Sequence, residues 1–108
     1  MTNLSKLKLK IEKCGIPFRY DHWKDTPKAP YGVYICEDGN KFFADGKIWL
    51  KLTNVILSIY TGKKDRDAEK IIEKMLDELG LPWEKSETYI ESERLFEVDY
   101  SCEVIFDE

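Results

Sequence analysis

The fold is decided close to the end of the chain, by the stretch FEVDYSCEVIF that runs from Phe96 to Phe106. Apolar residues alternate there with acidic or small polar ones, so every second side chain from Phe96 onward points the same way. Strict alternation of this kind is typical of a β-strand with one buried face and one polar face. We therefore predict a sheet whose apolar face is covered by other elements.

Two segments with helical periodicity can supply that cover. The segment from Asn3 to Cys14 places apolar residues on one side and four lysines on the other. Asn3 or Ser5 can cap its first turn, and Gly15 is a stop signal. The second helix is expected to follow the N-cap Asp65 and to end before Gly80. Its apolar stripe consists of Ala68, Ile71, Ile72, Met75, Leu76 and Leu79.

The rest of the chain has the pattern of strands and turns. We predict strands over residues 31–37, 47–52, 55–60, 83–90 and 96–106, with turns at 38–40 and at the hairpin dipeptide Asp45-Gly46. Residues 16–30 are rich in proline and are expected to form an irregular connection or a short edge strand. The order is therefore α-β-β-β-α-β-β. It predicts a single two-layer α+β domain over residues 1–108, with a mainly antiparallel β-sheet packed by two helices.

Composition sets limits on the function. The chain has 108 residues, 43% of them hydrophobic, which suits a single hydrophobic core. Its formal charge is −4, so it lacks the concentrated positive charge that is typical of a protein that binds duplex DNA. Cys14, Cys36 and Cys102 are widely spaced and form no CxxC pair, so reduced thiols in a cytosolic setting are expected. No apolar run approaches the roughly 18 residues of a membrane span, and no membrane association is expected.

Motifs for catalysis or metal binding are incomplete. The sequence Thr61-Gly62-Lys63-Lys64 resembles the end of a phosphate-binding loop, but Leu57 replaces the required first glycine and Lys64 the required Ser or Thr. His22 is the single histidine, and we interpret it as a surface residue. We expect no catalytic residues, no cofactor and no metal.

Three carboxylates, Glu97, Asp99 and Glu103, share the polar side of the last strand; we call them the acidic face. Carboxylates two residues apart on a strand stand about 7 Å from each other. The acidic face fits a solvated sheet surface, a surface that repels nucleic acid or meets a basic partner, or the carboxylates of a small nuclease-like enzyme. An enzyme would also need a substrate-holding cleft, for which the sequence gives no signal.

The Asp45-Gly46 hairpin carries an unusual number of aromatic residues. Phe42 and Phe43 lie on one strand and Trp49 on the other, with Lys47 beside the turn. A two-stranded hairpin that extends beyond a sheet cannot bury both of its faces on one core. These rings are either ordinary core residues or contacts for another subunit, and the sequence leaves both interpretations open.

A family resemblance rests on three stretches: the hairpin FFADGKIW of residues 42–49, the strand from Val55 to Tyr60 with the Thr61, Lys63-Lys64-Asp65 segment after it, and the run YIESERLFEV of residues 89–98. These resemble small proteins from the structural gene modules of siphophages and prophages of Gram-positive bacteria. The chain is most similar to the tail terminator, or tail completion, family, whose α+β element order it shares. The resemblance covers Leu4 to Phe106 and rests on overall pattern.

The resemblance implies an assembly role without catalysis. Tail terminators form a ring, typically a hexamer, that caps the tube of the major tail protein and presents a docking surface to the head and its completion protein. The implied location is the head–tail neck of a virion assembled in the host cytoplasm, with DNA passing through the ring without specific binding. The alternatives are another neck component (a head-closure or minor capsid protein), a nuclease-like enzyme, or a host-directed regulatory module.

The resemblance also suggests roles for two groups of residues. The acidic face is expected at the lumen of the ring or at a subunit contact. The hairpin is expected to touch the next subunit or the tail tube through Phe42, Phe43, Lys47 and Trp49.

Overall fold

The computed structural model describes residues 2–106, apart from the side chains of Ala44, Ile48 and Trp49. The elements in chain order are α1 (Leu4–Lys13), β1 (Phe18–Tyr20), β2 (Tyr31–Ala44), β3 (Lys47–Thr61), α2 (Arg66–Glu78), β4 (Glu84–Ile90) and β5 (Leu95–Ile105). This is the predicted α-β-β-β-α-β-β order, and the α+β fold class is confirmed.

The five strands form one sheet in the order β1-β2-β3-β5-β4. β2 with β3, β3 with β5, and β4 with β5 are antiparallel neighbours, whereas β1 runs parallel to β2. The sheet is therefore mainly antiparallel, as predicted. The prediction for residues 16–30 is an irregular connection or a short edge strand, and β1 is such an edge strand.

Both helices pack on one face of this sheet. The buried core consists of Leu4, Leu7 and Ile11 from α1, Ala68, Ile72, Met75 and Leu76 from α2, and Val55, Leu57, Ile59, Val98, Tyr100, Cys102 and Val104 from β3 and β5, with Ile16 and Leu81 beside them. The core residues of β5 are alternate ones, so its alternation correctly predicts the buried side. The opposite side of the sheet carries neither helix, and we call it the open face; β3 contributes Asn54, Ile56, Ser58 and Tyr60 to it.

The helix ends follow the predicted signals. The Asn3 side chain accepts a hydrogen bond from the Lys6 amide at 2.9 Å, and the Asp65 side chain accepts one from the Ala68 amide at 3.0 Å. Both are N-caps that satisfy backbone donors of a first helical turn. After α2, Gly80 has a φ of 70°, which is the left-handed conformation that ends many helices.

The predicted turn at residues 38–40 is wrong, because β2 runs through it without a break. The register of β2 against β3 shifts between Asp38 and Lys41, so these residues form a bulge. A Cβ atom on Gly39 would lie 2.7 Å from the carbonyl oxygen of Leu52, so glycine is needed there for close backbone approach. The two strands predicted over residues 47–52 and 55–60 are likewise one strand, β3.

Candidate functional site

The β2–β3 hairpin extends past the five-stranded part of the sheet. β5 pairs with β3 from Leu52 to Thr61, and beyond Leu52 the two hairpin strands continue to a turn at Asp45 and Gly46. Their φ angles of 52° and 74° are the positive values of the predicted tight turn. We call residues 41–51 the arm. It gives the molecule an elongated outline of 52 × 26 × 22 Å.

The arm exposes large aromatic rings. Phe42 is 44% exposed and Phe43 is 63% exposed, so neither is an ordinary core residue. Lys47 is exposed as well. The pairing register shifts between Phe42 and Phe43, and neither is directly opposite Trp49. The side chain of Trp49 lies outside the described residues, so its contact role stays a prediction.

The structure brings the three carboxylates of the acidic face together on the open face. They stand opposite Tyr60, Ser58 and Asn54 of β3 in the strand pairing. All three acidic residues are half-buried. The acidic face is therefore part of a contact-making sheet surface and is less solvated than its composition predicts.

One of these carboxylates, Glu97, has a raised pKa. Burial raises the pKa of Glu97, a hydrogen bond from Tyr60 lowers it, and neighbouring Asp99 raises it again, so the pKa lies above the usual value. Burial, followed by the Glu97 carboxylate, raises the pKa of the Tyr60 hydroxyl, which stays a donor. Ser58 Oγ donates to Asp99 Oδ1 at 2.5 Å. The carboxylates are thus oriented by donors of the sheet and present acceptor atoms on its surface.

The third carboxylate is connected to the bulge, since Asn40 Nδ2 donates to Glu103 Oε2 at 3.4 Å. The base of the arm and the acidic face are therefore adjacent. Among residues 2–106, no group of three or more His, Cys, Asp or Glu side chains is arranged to hold a metal ion.

An aromatic cluster that the sequence did not predict covers one side of the open face. Tyr31 and Tyr60 stack with centroids 5.1 Å apart, and Trp23 meets Tyr31 edge-on at 6.3 Å. Trp23 Nε1 donates to the Gly32 carbonyl at 2.8 Å, and the Arg19 guanidinium lies 5.4 Å from the Trp23 ring centroid. A tryptophan within a proline-rich connection was the available signal for this packing.

A network of ion pairs on the helix side ties α2 to β4 and β5. The buried Glu69 contacts Lys64 Nζ at 2.9 Å and Lys85 Nζ at 2.5 Å. Glu73 accepts from Lys85 at 3.0 Å and from the Tyr100 hydroxyl at 2.7 Å. Burial alone would raise the pKa of Glu69, but the hydrogen bonds from Lys85 and Lys64 outweigh it and hold that pKa below its usual value. These charges compensate one another, which indicates a structural role.

The three cysteines and the single histidine differ in burial. Cys102 is buried, Cys14 and Cys36 are half-buried, and all three are free thiols. Burial, followed by neighbouring Cys36, raises the pKa of the Cys102 thiol to about 11, so it stays protonated at neutral pH. His22 is exposed as predicted, with Nδ1 3.0 Å from Asp21 Oδ2.

Comparison with known proteins adds no family assignment. The chain matches no protein-family model, and no curated protein gives a significant match. None of the helices within residues 2–106 has both the length and the apolar character needed to cross a membrane. The fold and the surfaces define an α+β domain with a projecting aromatic arm and a half-buried acidic sheet surface.

Proposed function

We propose that the chain is a virion assembly protein, a tail terminator that forms a ring with other copies of itself, caps the tail tube and joins it to the head. The arm is the observation that carries this proposal. Phe43 is 63% exposed on a hairpin that projects from the core. Keeping the phenyl group of Phe43 in water costs free energy. A subunit of an assembled ring would bury that group against the neighbouring subunit or against the tail tube.

The position of the arm suits a head-to-tail contact. Four residues of β2, Lys41 to Ala44, project by about 13 Å at strand spacing, which is enough to reach across a subunit boundary. The same contact repeated around a closed rotation generates a ring, and six copies give the hexamer of the family it resembles. The major tail tube protein and the head-completion protein are then the partners on the two sides of the ring.

The charge of the chain supports the passage of DNA through such a ring. The formal charge is −4, so the assembled ring carries an excess of negative charge. Phosphate binding depends on lysines and arginines that displace counterions, and an acidic ring gives little such binding. DNA would pass without being held.

The second candidate is another neck component, such as a head-closure or minor capsid protein, because an exposed arm on a small body suits any ring of the neck. The catalytic alternative is a nuclease-like enzyme that uses the acidic face. It requires a metal-dependent activity that Glu97→Gln or Asp99→Asn abolishes.

A phage that lacks this protein tests the proposal. We expect tails of abnormal length that fail to join heads, seen by electron microscopy, and a loss of infectious particles. A plasmid copy should restore both, and the Phe43→Glu copy should restore neither. Tyr20→Glu is the matched control, since Tyr20 is also an aromatic residue and is 52% exposed on β1. Tails of normal length joined to heads without the protein would overturn the proposal.

A further inference from the structure

The outer side of α1 is a basic surface with an apolar centre. Lys6, Lys10 and Lys13 are exposed there, and Leu9 among them is 54% exposed. The helix contains four lysines and a single acidic residue, Glu12. Lysines beside an exposed leucine can cover apolar surface with their stems and present charge at their tips. We call Lys6, Leu9, Lys10 and Lys13 the basic face.

The basic face continues into a shallow groove between the two helices. This groove has a volume of about 280 Å³ and includes Lys10 and Lys13 on one side and Ile71 and Lys74 on the other. Ile71 is 40% exposed. Glu78 also lines the groove and lies 3.9 Å from Lys74. The helix side of the molecule therefore offers two exposed apolar side chains, Leu9 and Ile71, with the ammonium groups of Lys10 and Lys13 between them.

The open face has the complementary composition. Strand pairing places Glu37 and Glu84 on it in addition to the acidic face. Among the described residues of the five strands, the pairing places one basic residue on the open face, which is Arg19 of the edge strand β1. The half-buried apolar residues of the open face include Val33, Ile35 and Ile56, which lie on β2 and β3 next to the carboxylates.

The open face has the extent needed for a contact between subunits. β3 and β5 pair over ten residues, from Leu52 to Thr61 on β3. At about 3.3 Å per residue and about 4.8 Å between strands, the four long strands present about 600 Å². A stable interface buries about 800 Å² on each partner, so the open face together with the arm is of the required size.

We infer that the basic face of one copy of the chain docks on the open face of the next copy, with its lysines against the carboxylates. This inference rests on the proposed function, and it specifies which two surfaces form the contact between neighbouring subunits of the ring. The two surfaces lie on opposite sides of one body, so each copy can use both at once, which is a head-to-tail contact. Pairing either surface with itself would bring like charges together, which disfavours a two-fold dimer.

Two charge-reversal variants test the contact, under the condition in which the unmodified protein forms rings, free in solution or on purified tail tubes. One is Lys10→Glu/Lys13→Glu and the other is Glu84→Lys/Glu103→Lys. Each alone should assemble at least tenfold more weakly, by light scattering or by binding to tubes. An equimolar mixture of the two should recover rings, because the reversed surfaces attract each other.

The control is Lys28→Glu/Lys63→Glu, which makes the same change in net charge as Lys10→Glu/Lys13→Glu at exposed positions outside both surfaces and should assemble normally. Zero-length cross-linking of isotope-labelled with unlabelled protein should join Lys10 or Lys13 of one copy to Glu84 or Glu103 of another. If either charge-reversal variant alone forms normal rings, the proposed contact is overturned and the terminator function is left intact. If the rings of Glu84→Lys/Glu103→Lys are normal but no longer bind tubes, the contact is also overturned, because the open face then binds the tube. An unmodified protein that forms no ring even on tubes would overturn the proposed function itself.

Discussion

At the level of single residues, the surroundings of two glutamates determine whether the negative charge of each raises or lowers the free energy of unfolding. Glu69 is buried on the helix side between two ammonium groups, and its pKa is lowered. Glu97 lies half-buried on the open face beside Asp99, and its pKa is raised. The same substitution to glutamine should therefore have opposite effects at the two positions.

Glu69→Gln is expected to lower the free energy of unfolding by about 1–2 kcal/mol near neutral pH, because it removes the charge that Lys64 and Lys85 share. The pKa of Glu69 is lower in the folded chain than in the unfolded chain. Its contribution is therefore complete above the usual carboxyl pKa and is lost as the pH falls through the lowered value. The deficit of the variant should stay constant from about pH 7 to about pH 5 and shrink from there towards about pH 3.

Urea unfolding followed by circular dichroism over this pH range measures the deficit. Glu78→Gln is the matched control on the same helix, because Glu78 is exposed and lies 3.9 Å from Lys74. The control should change stability little at any pH. A deficit of Glu69→Gln that stays constant down to about pH 3 would contradict the assigned ion pairs.

Glu97→Gln is expected to raise the free energy of unfolding by up to about 1 kcal/mol near neutral pH. A glutamine removes the negative charge beside Asp99, and its amide group can donate to that carboxylate. Because folding raises the pKa of Glu97, its stabilising effect is present below the usual carboxyl pKa and is lost as the pH rises through the raised value.

The gain of Glu97→Gln should therefore disappear below about pH 4, the usual range of a carboxyl group. The same unfolding series measures it, with Glu91→Gln in the exposed β4–β5 turn as the control. A variant that is less stable than the unmodified chain near neutral pH would contradict the assigned repulsion.

At the level of elements, the short strand β1 depends on one glycine of its neighbour. A Cβ atom on Gly32 would overlap the ring of Phe18. Gly32→Ala should displace the ring, detach β1 from β2 and lower the free energy of unfolding by about 1–3 kcal/mol. In the double variant with Phe18→Ala the overlap is gone, so its loss should be smaller than the sum of the two single losses.

Thermal and urea unfolding of the two single variants and the double variant measure this coupling. Gly62→Ala is the matched control, since a Cβ atom there meets open space. Strictly additive losses would show that Phe18 does not hold β1 against Gly32.

The elements that were predictable from the sequence are those with local causes. The alternation of β5, the N-caps Asn3 and Asp65 and the Asp45-Gly46 turn each depend on a few neighbouring residues. The bulge at Gly39 was not predictable, because Asp-Gly-Asn has the composition of a turn. The need for glycine there comes from a backbone carbonyl on the partner strand.

The candidate surfaces divide in the same way. The exposed arm and the acidic face follow from a hairpin signal and from alternation, so the sequence places their residues together. The ion pairs of Glu69 with Lys64 and Lys85 join α2 to its flanks, and the cluster of Trp23 on Tyr31 joins a loop to a strand. Neither contact has a fixed spacing along the chain, so sequence periodicity does not predict it.

At the level of the whole molecule, the arm and the core are separate in composition. Among the side chains that the structure describes, no buried core residue lies within residues 41–51. The base of the arm is anchored instead by the Phe106 amide, which donates to the Lys51 carbonyl at 2.8 Å, and by Lys51 Nζ, which lies 3.8 Å from Asp38 Oδ1. The arm is thus an addition to a body that holds the whole described core.

This separation predicts that the arm can be shortened without loss of the fold. Lys41 and Lys51 pair directly across the hairpin, so replacing Phe42–Leu50 with Asn-Gly joins them by a two-residue turn. The melting temperature should change by no more than about 4 °C, because none of the described core residues is removed. Small-angle X-ray scattering should give a monomer clearly shorter than 52 Å.

The shortened chain should form no rings and should not restore infectivity to a phage that lacks the protein. If the shortened chain unfolds, the arm belongs to the core. If it forms normal rings, the arm is not part of the interface. Only a shortened chain that folds but no longer assembles agrees with an arm that acts between subunits.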